Sequence, residues 1–178
     1  AGAWGIADVE DSQKAIEYLA AEKKIDAERC IIRGGSAGGY TVLSALTFTD
    51  TFKAGASLYG IGDLETLATD THKFESRYMD SLIGPYPERR DIYLERSPIH
   101  HAEGLNCPVI FLQGLEDKVV PPNQAEMMVK LLQDKGIQVE YVSFPDEGHG
   151  FRKANNIIRA MESELAFYRD VFNLAGKA

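Results

Sequence analysis

The sequence predicts an α/β protein built on a parallel sheet, and three observations support this prediction. Short apolar segments alternate with longer segments whose apolar residues recur about every 3.6 residues. The clearest short segment, Val109-Ile110-Phe111-Leu112, is continuous, as in strands that a parallel sheet buries on both faces. The 178 residues suffice for one domain with a sizeable core. Such alternation builds parallel sheets with right-handed crossovers.

The elements follow one another in a simple order, with one irregular stretch between them. Helices are predicted over residues 6–23, 37–47, 123–135 and 154–172. Strands are predicted over residues 30–32, 54–59, 109–112 and 139–144. Residues 64–105 have a mixed pattern, and helical pieces are expected on either side of Gly84-Pro85-Tyr86-Pro87.

Two of the predicted helices carry further local signals. Asn123 is expected to cap the third helix and Gly136 to end it. In the last helix the apolar residues lie along one stripe, which consists of Ile157, Ile158, Met161, Leu165, Tyr168 and Phe172.

Composition excludes several classes of partner. The net charge is −8 and the 19 lysines and arginines are dispersed, so a surface for nucleic acid or anionic membrane is not expected. The sequence contains no run of about 18 apolar residues, so no membrane span is predicted. The first residues, Ala1 to Gly5, lack the basic and apolar segments of a signal peptide. Cys30 and Cys107 have no metal-type spacing and read as reduced thiols, which favours a cytoplasmic location.

One glycine-rich segment has the pattern of a nucleophile elbow. Gly34-Gly35-Ser36-Ala37-Gly38 fits G-x-S-x-G and lies between a predicted strand and a predicted helix. In that setting a strained turn holds a serine Oγ clear of the backbone, and the following helix directs free N–H groups at developing negative charge. Ser36 is therefore the candidate nucleophile and the backbone N–H of Ala37 a candidate oxyanion donor. A glycine-rich turn without chemistry is the alternative.

A base and an acid follow in an order typical of α/β-hydrolases, in which the acid follows the serine and the histidine comes last. Of the four histidines, only His149 lies beyond strand 109–112. Asp117 follows that strand and is placed to orient the imidazole. Its neighbour Glu116 is a rival that the residues alone barely separate from it.

No cofactor or metal is expected. His100-His101 with Glu103 has poor spacing for convergent ligands and reads as a loop before a strand. The glycine-rich segment lacks the Lys-Ser/Thr pair of a phosphate loop.

Three motifs follow one another along the chain: Arg33-Gly-Gly-Ser-Ala-Gly-Gly-Tyr40, Gly114-x-x-Asp117-x-x-Val120-Pro-Pro122 and Gly148-His-Gly-Phe151. Together they resemble the prolyl oligopeptidase family of serine peptidases, and most of all its acylaminoacyl-peptidase and dipeptidyl-peptidase-like members. The resemblance implies a peptidase that cleaves short peptides, with an α/β-hydrolase fold. It implies the catalytic triad Ser36, Asp117 and His149.

The resemblance also implies a substrate pocket. The stretch after strand 54–59 is expected to contribute to the S1 subsite. The candidate substrate-binding residues are Tyr40, Ile61, Leu64 and Leu67.

The sequence departs from the family pattern at its start. Only 35 residues precede Ser36, too few for the four earlier strands, the second oxyanion donor or the N-terminal β-propeller of the family. Residues 1–178 are therefore expected to form a partial catalytic domain, the C-terminal half of the sheet with about four strands. Strand 30–32 would be an unpaired edge that joins the N-terminal part of the same protein or a second copy.

Three functions remain open at this point. The first is a serine peptidase that acts through an acyl-enzyme. The second is a carboxylesterase or a dienelactone-hydrolase-like enzyme, whose final loops have similar sequences. The third is a non-catalytic half-domain that self-associates through its exposed strand edge.

Overall fold

The computed structural model describes residues 2–70 and 78–174. Four strands are present there: β1 Ile31–Gly35, β2 Ala54–Leu58, β3 Val109–Gly114 and β4 Val139–Phe144. The described α-helices are α1 Ala7–Ala21, α2 Ala37–Phe48, α3 Leu64–Asp70, α4 Tyr78–Leu82, α5 Arg90–Arg96, α6 Asn123–Asp134 and α7 Ala154–Val171. Short 3₁₀ turns occupy Ala27–Arg29 and Pro98–His101.

The strands form one parallel sheet in the order β1-β2-β3-β4. Each connection between neighbouring strands contains at least one helix, as parallel pairing requires. This arrangement confirms the predicted α/β class and the expected four strands. It also places the carboxyl ends of all four strands at one edge of the sheet.

Helices cover both faces of the sheet, which explains why residues 109–112 of β3 are continuously apolar. Val109 and Phe111 face a core shared with α1, α2 and α6, whereas Ile110 and Leu112 face a core shared with α7. All six residues of β3 are buried. Alternate side chains of a strand point to opposite faces, so a doubly covered strand needs apolar residues at every position.

A smaller apolar core lies in the connection between β2 and β3. It joins the helices α3, α4 and α5 to Tyr40 of α2 and to Val120, which follows β3. Helical pieces on either side of residues 84–87 are thereby confirmed, although residues 71–77 lie outside the described part. This cluster stands beside the ends of β2 and β3 and forms one wall of the site described below.

One of the two local signals in the helices differs from expectation, and the other is confirmed. Asn123 is the first residue of α6 and Pro122 is its N-cap, so the predicted Asn123 cap is wrong. Gly136 follows the helix with φ +72°, a conformation that glycine adopts without steric cost.

The apolar stripe of α7 lies mostly on its outer side. Met161 is 63% exposed, and Ile157, Ile158 and Leu165 are also exposed. The face against the sheet consists of Ala160, Glu164 and Phe167. No described helix combines the length and the apolar character needed to cross a membrane.

Candidate active site

Ser36 occupies a sharp bend between β1 and α2. Its backbone has φ +55° and ψ −121°, which a residue with a side chain rarely adopts. Its N–H donates to the carbonyl oxygen of Leu58 over 2.9 Å, which fastens the bend to the end of β2. A Cβ on Gly34 would lie 2.3 Å from the carbonyl oxygen of Gly38. The strand–turn–helix setting expected of a nucleophile elbow is therefore present.

His149 joins Ser36 and Asp117 in one hydrogen-bonded line. Its Nε2 lies 2.7 Å from the Oγ of Ser36, and its Nδ1 lies 2.8 Å from the Oδ2 of Asp117. An ionised carboxylate only accepts hydrogen bonds, so Nδ1 carries the proton and Nε2 accepts from the hydroxyl. This is the arrangement in which a serine can be deprotonated.

The carboxylate of Asp117 is held on both of its oxygens. Oδ1 accepts the backbone N–H groups of Val119 and Val120, each over 2.9 Å, while Oδ2 faces His149. Its side chain is fully buried. The structure thus brings Asp117, of the two neighbouring carboxylates, to the imidazole. Glu116 instead pairs through its backbone N–H with the carbonyl oxygen of Glu147.

Two residues at the end of β3 set the path of these loops. A Cβ on Gly114 would lie 2.4 Å from the carbonyl oxygen of Gly148, so only glycine lets the histidine loop pass this closely. The buried amide of Gln113 donates to the carbonyl oxygens of Gly114 and Val120, at 3.0 and 3.2 Å. Hydrogen bonds from this buried amide therefore hold the turn that carries Asp117.

Ala37 is the first residue of α2 and lines the same cavity as Ser36 and His149. The first N–H groups of a helix have no acceptor within the helix and carry partial positive charge. The backbone N–H of Ala37 is thus available to a negatively charged oxygen beside Ser36.

A cavity of about 350 Å³ opens beside the serine. Apart from Ser36, Ala37 and His149, its described lining consists of Trp4, Ile61, Leu67, Tyr78, Met79, Val119 and Val120. These residues come from the start of the chain, from the loops after β2 and β3, and from the helices α3 and α4. The cavity is therefore an apolar pocket with a polar corner.

The structure brings two of the four candidate substrate-binding residues to this cavity. Ile61 and Leu67 line it. Leu64 is fully buried in the core beneath the wall rather than on it. Tyr40 is also fully buried, its hydroxyl donates to the carbonyl oxygen of Arg96 over 3.0 Å, and its ring contacts that of Trp4 at an angle. Burial raises the pKa of Tyr40 to about 12.

Five further lining residues were not among the candidate substrate-binding residues. Val119 and Val120 adjoin Asp117, so their proximity to the site was available from the motif itself. Trp4 and Tyr78 come from segments that only the fold brings to the cavity, and Met79 adjoins Tyr78. The sequence around an aromatic residue far from any motif does not show whether that residue lines the cavity.

The described histidine at position 101 has local partners. His101 places Nε2 3.3 Å from the carbonyl oxygen of Leu94 and packs on the ring of Phe48. Within residues 2–70 and 78–174, no three histidine, cysteine or acidic side chains converge as metal ligands.

A parallel sheet with a serine on a strand–turn–helix bend, facing a histidine and an aspartate from later loops, defines an α/β-hydrolase. The chain matches the prolyl oligopeptidase family over residues 1–175 and belongs to it.

Relatives and solved structures agree with this assignment. Dipeptidyl aminopeptidase BIII of Pseudoxanthomonas mexicana is 33% identical over 161 residues, which are 87% of this chain and 23% of that protein. A puromycin-hydrolyzing peptidase of Mycobacterium tuberculosis is 50% identical with a TM-score of 0.93, over 95% of this chain and 26% of that one. An acylaminoacyl peptidase of Pyrococcus horikoshii is 28% identical with a TM-score of 0.85, over 94% of this chain and 28% of that one. The chain thus spans about a quarter of the length of these relatives.

Proposed function

We propose that this chain is the nucleophile-bearing part of a serine peptidase that hydrolyses short peptides through an acyl-enzyme on Ser36. The observation that carries the proposal is the line from Asp117 through His149 to Ser36, with 2.8 and 2.7 Å between the paired atoms. Membership of a peptidase family supports it. The likeness to a dipeptidyl aminopeptidase and to an acylaminoacyl peptidase supports it as well.

Each residue of the line has a defined task in this reaction. His149 Nε2 takes the hydroxyl proton as Ser36 Oγ attacks the substrate carbonyl carbon. Asp117 keeps the proton on Nδ1 and stabilises the imidazolium that forms. The imidazolium then donates its proton to the departing amine. A water molecule, activated by the same imidazole, hydrolyses the acyl-enzyme and restores Ser36.

The negative charge on the substrate oxygen falls beside Ala37. Its backbone N–H, at the start of α2, is one donor for this oxygen. In other serine hydrolases, removal of a single donor of this kind costs about 10²–10³-fold in turnover. A second donor contributes comparably, so turnover depends strongly on how many donors surround the oxygen.

The cavity favours an apolar residue before the scissile bond. Its walls beside Ser36 are aliphatic, aromatic or methionine side chains, among them Ile61, Met79 and Val120. A charged side chain would lose its water there without gaining a partner, which is costly. An apolar side chain would instead bury its surface favourably.

Labelling with a fluorophosphonate probe tests the proposal. We expect one adduct in the intact mass, at Ser36, and its loss in Ser36→Ala. His149→Gln is expected to slow the labelling while the fold is retained. A folded chain that takes no adduct would contradict the proposal.

The same triad also serves ester hydrolysis, so the substrate class needs its own measurement. We expect turnover of dipeptide amides with an apolar residue at the cleaved bond. Turnover of simple esters alone would assign the chain to the carboxylesterase or dienelactone-hydrolase-like class instead.

A further inference from the structure

A buried carboxylate lies two residues before His149 and is bound by nitrogen donors on both oxygens. Glu147 is only 3% exposed. Its Oε2 accepts the backbone N–H of Arg152 over 3.0 Å. Its Oε1 accepts the backbone N–H of Lys153 over 2.9 Å and the side-chain amide of Asn156 over 2.9 Å. The carboxylate therefore closes a short loop with His149 inside it.

The main chain of the same residue fastens this loop to the end of β3. The carbonyl oxygen of Glu147 accepts the N–H of Glu116 over 2.9 Å, and its own N–H donates to Phe144 over 3.3 Å. The loop also passes close to Gly114, where an added Cβ would lie 2.5 Å from the carbonyl oxygen of Glu147. Glu147 thus ties the histidine loop to the aspartate loop on one side and to the start of α7 on the other.

The charge of Glu147 is stabilised by hydrogen bonds. The Asn156 amide, with the backbone N–H groups of Lys153 and Arg152, holds the pKa of Glu147 below its usual range, although burial and the nearby Asp146 act in the opposite direction. The ammonium of Lys153 binds Asp146. A buried carboxylate persists where such donors replace its water.

We propose that Glu147 is the positioning residue that holds His149 in line between Asp117 and Ser36. It touches none of the reacting atoms and acts by fixing the loop at its two ends. Its effect on rate rests on the function proposed above, whereas its effect on the imidazole does not. Misplacement of a catalytic group by about 1 Å typically costs about 10²-fold in rate.

The tautomer of His149 reports this role directly. In protein with ¹⁵N-labelled histidine, at a pH where the imidazole is neutral, we expect the Nδ1–H form in the wild type. In Glu147→Ala we expect the tautomer mixture of a freely exposed imidazole. His149→Gln assigns the signals, and amide dispersion reports folding. A residue that merely stabilised the fold would leave this tautomer unchanged in the folded variant.

Asp146→Asn is the matched control. Asp146 is the adjacent carboxylate and also accepts from Asn156, over 3.0 Å, but it lies on the exposed side of the loop. We expect Asp146→Asn to keep the Nδ1–H tautomer and the labelling rate. We expect Glu147→Ala to label about 10²-fold more slowly. The labelling rate of Glu147→Gln should lie between the rates of these two variants, because its amide points a donor towards a backbone N–H.

The outcomes separate this inference from the proposed function. A folded Glu147→Ala with the wild-type tautomer and rate would overturn the positioning role. If that variant does not fold, an unchanged Glu147→Gln overturns it equally. A wild type that lacks the Nδ1–H form also overturns it. If the wild type takes no probe but loses its tautomer on Glu147→Ala, the positioning role stands and the peptidase proposal fails.

Discussion

At the scale of single residues, the site concentrates unusual conformations that the surrounding structure enforces. Ser36 has φ +55°, and such a residue typically costs about 1–3 kcal/mol. The bend is held by hydrogen bonds from the N–H of Ser36 to Leu58 and from the N–H of Tyr40 to the carbonyl oxygen of Ser36. The strained conformation is therefore held by its neighbours, and it places the Oγ of Ser36 beside His149.

Substitution of the adjacent carboxylates Asp117 and Glu116 tests which of them acts as the acid beside His149. Asp117→Asn keeps the size of the side chain, but its amide can present a donor to Nδ1 and so favour the wrong tautomer. We expect fluorophosphonate labelling to fall by up to about 10⁴-fold, by analogy with other triads. Measured beside it, Glu116→Gln is expected to label at the wild-type rate. Equal losses in the two variants would show that Asp117 has no special role.

At the scale of elements, the elbow depends on how closely α2 approaches the end of β2. A Cβ on Gly39 would lie 2.6 Å from the Cα of Gly60, whereas a Cβ on Gly38 meets nothing within 4 Å. Both glycines lie in α2, one residue apart. The helix therefore has one position where glycine is required for packing and one where it is not.

These two glycines form a matched pair of variants. Gly39→Ala is expected to lower the free energy of unfolding by about 1–3 kcal/mol or more, because two backbones must move apart. Gly38→Ala is expected to raise it by up to about 1 kcal/mol, since alanine favours helix over glycine. Urea denaturation of both variants measures the difference. A Gly39→Ala variant as stable as the wild type would show that the crossing of α2 over Gly60 is loose.

The helix α7 carries apolar residues on its exposed side and a buried carboxylate on its inner face. Glu164 lies on the inner face of α7, where it accepts from Arg33 over 2.7 Å and from the Tyr168 hydroxyl over 3.0 Å. Those partners satisfy a buried charge that would otherwise be costly. The helix is thereby fastened to β1 by a polar contact, while Met161 and its exposed apolar neighbours face outward.

At the scale of the whole molecule, β1 is an edge strand of the described sheet. No described strand pairs with its outer side, and an edge strand can pair with another strand there. We propose that this edge joins a further part of the same protein or a second copy of the chain. Association through the edge, without catalysis, remains the third candidate function.

Concentration dependence tests this edge. We expect sedimentation velocity to show association as the chain is concentrated, with slower hydrogen exchange at alternate amides of Ile31–Gly35. The amides of β3 provide the internal control, because they are paired on both sides at every concentration. A stable monomer at micromolar concentration, with unchanged exchange in β1, would contradict the proposal.

Local patterns predicted much of this architecture. The alternation of strands and helices follows from periodicity over a few residues, and the continuous apolar run of β3 follows from burial on both faces. The order of Ser36, Asp117 and His149 follows from motifs that each need only a few neighbouring residues. Such features are readable because their physical cause lies within one segment of the chain.

By itself, then, the sequence determined the α/β class, the order of its elements, the elbow and the single histidine placed to serve it. Tertiary structure placed Asp117 rather than Glu116 beside His149, because the histidine loop meets the Asp117 turn only in the folded chain. It also brought Trp4 and Tyr78 to the cavity, and buried Glu147 against the start of α7. These outcomes depend on which segments meet in space, and a pattern along one segment carries no record of that meeting.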